Sequence, residues 1–220
     1  MTHVDESLSD RHDRHAYERM IVLSDGVFAI AMTLLALDLH PSGATGASWQ
    51  GLLTALAPKL KAYAISFAVV AIFWISQRRS FARYVRVDAV LVWLSLMFLA
   101  LVCLLPAATD LMYTINGNGP AFLYVGLILL ISFVQAIGWG YAAFIGKLVA
   151  ADVTLTGRVY LFVMALLAPT VFTAVSFLGV MLHGSMSTLS WVVLIGLLVT
   201  LRFVSRRLFN PAKEPPAAKG

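Results

Sequence analysis

Three residues at the start of the first apolar stretch carry groups that lipid does not solvate: Arg19, Ser24 and Asp25. An ionisable group at membrane depth needs a named partner, and such groups line ion paths or tie helices together. Arg19 and Asp25 stand six apart. That spacing takes them off a common helix face, so each is expected to reach another helix rather than its neighbour. The favoured reading is that Ser24 and Asp25 cap or cross-link the cytoplasmic end of a helix bundle, ahead of direct ion coordination. Arg19 joins them in that structural motif, and Trp74 of the second apolar stretch is the candidate packing or hydrogen-bonding neighbour.

Further along the same stretch Ile30, Leu34 and Leu37 follow at spacings of four and three, with Thr33 beside them. They share one face of a helix. Periodicity alone fits a lipid-facing or packing surface. Other chemistry is sparse. No phosphate-binding glycine loop, His-Glu zinc pair or serine elbow is present. His3, His12 and His15 lie in a polar N-terminal segment, and His40 and His183 lie at predicted loops. A hydrolytic site in the membrane would need a nucleophile and base, or metal ligands, within the spans. The expectation is a protein that is not an enzyme, with no cofactor and no metal site.

The elements that position these residues follow from composition. Of 220 residues, 60% are hydrophobic and 12% charged, against roughly 45–50% and about 25% in a soluble domain. Lipid is the expected solvent. The net charge of +5 does not point to nucleic acid, because the arginines sit between apolar stretches and form no stripe with interleaved aromatics. The single cysteine, Cys103, permits no intramolecular disulfide.

A helix needs about 20 apolar residues to cross a bilayer, and six stretches are predicted as spans: 20–39, 60–77, 88–111, 121–147, 158–182 and 187–205. Continuous rather than alternating hydrophobicity favours helices over strands. The fold class is therefore all-α, an integral membrane bundle of six transmembrane helices. The segment 49–60, interrupted by Pro58, reads as an interfacial lead-in anchored by Trp49. Of the sixteen Lys and Arg, all but Lys59 and Lys61 fall on one side of these spans. That asymmetry places both termini in the cytoplasm. The division is a polar cytoplasmic segment at 1–18, a membrane domain at 19–208 and a disordered cytoplasmic tail at 209–220.

The pattern Arg19-x-x-x-Leu23-Ser24-Asp25, followed by Val27-Phe28-Ala29-Ile30 and Thr33-Leu34-Leu35, resembles the first-span signature of the bacterial branch of the transmembrane protein 175 family of potassium channels. Leu23 stands where that family usually has phenylalanine. Tyr63-x-x-Ser66-Phe67 with Phe73-Trp74 is similar to its second-span pattern, although Gln77 and Arg78 occupy positions where histidines are common. The third span, ending in Leu104-Leu105-Pro106, is also similar.

The resemblance implies a homotetramer in the bacterial inner membrane, with the first helices lining a central pore that passes K+ and other monovalent cations. It also implies that selection rests on apolar rings, which here would be Ile30, Leu34 and Leu37. An apolar ring can gate by dewetting and discriminate by making a cation shed water. Asp38 and Asp110, near the outer ends of the first and third spans, can draw cations to the mouth; interface solvation explains them equally well. The competing expectation is a secondary transporter, with broken helices around a polar site at mid-membrane. Pro106, Pro169 and Gln135 are the residues that reading would use.

Overall fold

The computed structural model describes residues 8–37, 39, 48–115, 117–151 and 153–183. Among them there are helices and no strands beyond one isolated bridge. The helices are α1 (Leu8–Leu37), α2 (Trp49–Phe81), α3 (Ala89–Val102), α4 (Leu105–Thr114), α5 (Gly119–Gly140) and α6 (Leu155–His183). Five segments are long and apolar enough to cross a membrane: Tyr17–Leu37, Trp49–Phe81, Ala89–Met112, Gly119–Ile145 and Leu155–Leu182. The sixth predicted span, the tail and Asp38 lie outside the described residues.

Two elements differ from the sequence expectation. The lead-in at 49–60 is not separate: α2 runs unbroken for 33 residues through position 58. At 1.5 Å per residue it is about 50 Å long, some 20 Å more than the hydrocarbon core. Proline is tolerated within membrane helices because neighbouring groups re-satisfy the freed carbonyl. Ser48 begins the helix, its hydroxyl accepting from the Gly51 amide at 3.3 Å.

The third predicted span, by contrast, is two helices. α3 starts at Asp88, whose carboxylate accepts from the Leu91 amide at 2.9 Å. It stops at a turn over Cys103 and Leu104. Pro106 falls in the first turn of α4, where its missing N–H costs nothing; in a continuous helix it would leave the Val102 carbonyl without a donor. The fourth span ends in a π-helical turn, Tyr141–Ile145, closed by the Gly146 amide on the Tyr141 carbonyl at 2.8 Å. Pro169, unlike Pro106, sits inside an unbroken helix.

Two apolar clusters hold the bundle. The larger one joins α1, α2, α3, α4, α5 and α6 through Phe28, Val70, Phe98, Leu105, Tyr124 and Phe172, all essentially inaccessible. Phe98 is its hub, with ring centroids 6.1 Å from Phe28 and 6.2 Å from Phe73. Lipid is as apolar as these side chains, so close packing and interhelical hydrogen bonds, not water exclusion, stabilise such contacts.

The smaller cluster lies where the α2–α3 connection meets the segment between α5 and α6. There Tyr84 stacks on Trp139 at 6.0 Å and bridges to Val149. Backbone bonds from Val85 to Leu148 and from Ala150 to Arg83 close the junction. Arg158 sits across it, donating to the carbonyls of Ala143, Ala150 and Val153. Gly140 allows the close approach of α5 and α6, because a Cβ there would stand 2.7 Å from the Phe162 ring.

Candidate functional site

α1 has two apolar faces, and among the described residues one of them is buried in the core while the other is exposed. Met20, Ser24, Phe28, Ala31 and Leu35, spaced by three or four residues, are buried against the bundle. Ile30, Leu34 and Leu37 point away from it and are 60%, 41% and 72% exposed. Leu35, adjacent in sequence to Leu34, is 2% exposed. About 100° of helical rotation per residue separates a side chain locked in the core from one available to another surface. Thr33 is also exposed, but its hydroxyl is turned back on the Ile30 carbonyl at 2.8 Å. That bond leaves its methyl group as the outward surface.

At the N-terminal end of this span the polar residues separate into two settings. Asp25 is half-buried, and its carboxylate accepts a 2.7 Å bond from the Trp74 indole N–H of α2. The same indole ring lies 5.0 Å under the Arg78 guanidinium, a cation–π contact. Ser24 is buried beside them on α1. Arg19 is exposed and, among the described residues, has no hydrogen bond or ion pair with Ser24, Asp25 or Trp74. The structure thus joins Asp25 to Trp74, sets Ser24 in the core, and leaves Arg19 on the outward face.

At the opposite end Asp110 is half-buried and lines a small cavity with Leu35, Leu39, Lys59, Ala62, Tyr63 and Thr109. Beneath it runs a buried hydroxyl network that residue spacing does not reveal. Thr109 donates to Ser66 at 2.9 Å and lies 2.8 Å from the Leu105 carbonyl, while the Tyr124 hydroxyl donates to Ser66 at 3.2 Å. These bonds cross-link α2, α4 and α5, joining Ser66 to residues 43 and 58 positions further along the chain. The only legible signal was Ser66 within its aromatic pattern. Arg158, expected as a topology residue, is instead a clamp on three carbonyls. Among the remaining basic residues, burial and the neighbouring Arg79 hold Arg83 below the usual arginine range; an arginine so shifted still stays charged at neutral pH.

No cluster of three or more His, Cys, Asp or Glu side chains gathers among the described residues. A helical membrane domain whose first span is wedged into the core by one face and exposes an apolar stripe on the other is built as a multi-pass membrane protein.

Comparison with known proteins narrows that class. The family model described as "Endosomal/lysosomal potassium channel TMEM175" matches residues 19–106. A potassium channel of Chamaesiphon minutus is 32% identical over 139 residues, which cover 60% of this chain and 68% of that protein. A potassium channel of Streptomyces collinus is 40% identical over 96 residues, 43% of this chain and 46% of its own, so the match spans less than half of that relative. The fold superposes on the crystal structure of a lysosomal potassium-selective channel TMEM175 homolog from Chamaesiphon minutus. The TM-score is 0.59 at 26% identity, covering 87% of this chain and 98% of that one. The chain belongs to the TMEM175 family.

Proposed function

We propose that this chain is the subunit of a potassium-preferring cation channel of the bacterial cell membrane. Four copies surround a pore lined by α1, each contributes six transmembrane helices, and both termini are cytoplasmic. The observation that carries this reading is the exposed apolar stripe of Ile30, Leu34 and Leu37, backed by a buried face on the same helix. The family membership and the relatives' description as potassium channels support it. Rings of these three side chains form the constriction, and selectivity comes from the greater cost of partly dehydrating sodium than potassium. Thr33 is pore-adjacent, and Asp38 and Asp110 concentrate cations at the outer mouth. Asp25, Ser24 and Trp74 fix the pitch and rotation of α1 against α2. Passive conduction of this kind asks for no cofactor.

Recording from the purified full chain in planar bilayers, with potassium on one side and sodium on the other, tests the reading. Discrete current steps reversing toward the potassium potential are the expected result. A second reading, gradient-driven transport, draws on the break between α3 and α4, since transporters build their sites at interrupted helices. Saturating, gradient-coupled uptake without unitary steps would favour that reading over the channel. The proposed orientation predicts that Arg86→Cys, made in a Cys103→Ser background, is labelled by an impermeant thiol reagent only from the cytoplasmic side. Labelling in sealed cells would reverse it.

A further inference from the structure

The helix that carries the stripe also carries a charge on it. α1 is unbroken from Leu8 to Leu37, so the rotational position of Ile30 fixes that of every residue before it. At 3.6 residues per turn, eleven residues return to within about 20° of the starting direction, and Arg19 lies eleven residues before Ile30. Leu23, Gly26, Leu34 and Leu37 fall within about 40° of the same line. Arg19, Leu23 and Gly26 are exposed, as the stripe is. The nearest described carboxylates do not neutralise it. Glu18 points about 100° away and lies 3.8 Å from His15, and Asp25 is held by Trp74.

We propose that Arg19 forms a cationic ring at the cytoplasmic mouth of the pore, thinning the cation supply from that side, so that outward current passes less readily than inward. This rests on the reading of Ile30, Leu34 and Leu37 as pore-lining: if they face the axis, the unbroken helix brings Arg19 to the same side. Arg19 stands about 16 Å along the helix from Ile30, twice the Debye length of about 8 Å at physiological salt. The ring therefore acts on cation entry and leaves discrimination at the apolar constriction unchanged. Fixed charge of one sign in a mouth changes the local ion concentration, here downward for cations and upward for anions. In this respect Arg19 opposes the outer acids, giving the conduction path a polarity along the membrane normal.

The wild-type channel supplies a test that needs no substitution. In symmetric KCl of about 10 mM, where the Debye length is about 30 Å, outward unitary current is expected to fall to about half of inward current or less. In about 1 M KCl, where the screening length is about 3 Å, the two should become equal. Arg19→Gln should reduce the low-salt asymmetry to the part the outer acids contribute, without moving the potassium-to-sodium reversal potential, and Arg19→Lys should keep it in full. Equal inward and outward currents in low-salt wild type would overturn the proposal, as would asymmetry that is undiminished in Arg19→Gln. Ile30→Asn, recorded alongside, separates the two levels. If it alters permeation while the wild type shows no asymmetry, only the Arg19 ring is wrong. If it alters nothing, the pore assignment itself has failed.

Discussion

Single-channel records of Ile30→Asn are expected to show a larger unitary current and a weaker potassium preference than wild type, with Leu34→Asn changing in the same direction. A cation meeting a ring of methyl groups loses water without receiving a replacement ligand; an amide ring supplies one. Each 1.4 kcal/mol removed from the entry barrier is about tenfold in rate, so even partial compensation gives a severalfold effect. Because the amide relieves sodium more than potassium, conductance and selectivity should move in opposite directions. Ile30 should dominate. Its β-branched side chain is stiff at χ1 and leaves the aperture few rotamer escapes, whereas Leu34 and Leu37 can rotate aside.

Leu35→Asn is the matched control, and the burial of Leu35 at 2% exposure predicts a different failure. An amide placed there is desolvated without a partner, at about 2–7 kcal/mol, so that variant should lose yield and thermal stability. Wild-type reversal potentials and unitary currents in folded Ile30→Asn and Leu34→Asn channels would end the hydrophobic-ring mechanism for this protein.

The second large effect concerns assembly. Asp25→Ala strands the Trp74 indole N–H. Deleting one partner of such a bond costs about 1–3 kcal/mol, although hydrogen bonds between membrane helices average nearer 0.6 kcal/mol. The half-buried position of Asp25 places the expected loss toward the lower end, near 1 kcal/mol per subunit. Repeated in every copy of an oligomer, that is enough to reduce assembled yield and melting temperature. Asp25→Asn separates bond from charge, because its side-chain carbonyl still accepts from Trp74. It should recover more of the stability than Asp25→Ala does. In a double-mutant cycle with Trp74→Phe, which keeps the ring under Arg78, the two changes should couple rather than add. Selectivity should survive wherever channels assemble. A stable, well-expressed Asp25→Ala channel with lost potassium preference would instead make Asp25 an ion ligand.

Much of this protein was legible in its residues because lipid imposes few solutions. Continuous apolar stretches gave helices, and the four- and three-residue spacing of Ile30, Leu34 and Leu37 gave them one face. Tryptophan at 74 was a candidate neighbour for the polar end of α1, and the indole–carboxylate bond spans 49 residues of sequence. Proline gave less. Pro106, Pro58 and Pro169 carry the same local signal, yet only Pro106 lies at a helix break.

What only tertiary structure decided was which apolar face of α1 belongs to its own core. In a soluble helix the polar side marks the outside, but in a membrane helix core and lipid are equally apolar and hydrophobicity has no direction. Phe28, Ala31 and Leu35 differ from Ile30, Leu34 and Leu37 in what they pack against rather than in polarity. That packing sets the rotation of α1, and with it the place of Arg19, outside the Asp25–Trp74 pair to which residue type alone had assigned it. Arg158 and the Ser66–Thr109–Tyr124 network were hidden for a related reason. Their partners are carbonyls and hydroxyls from distant helices, and no spacing along one chain records such a meeting.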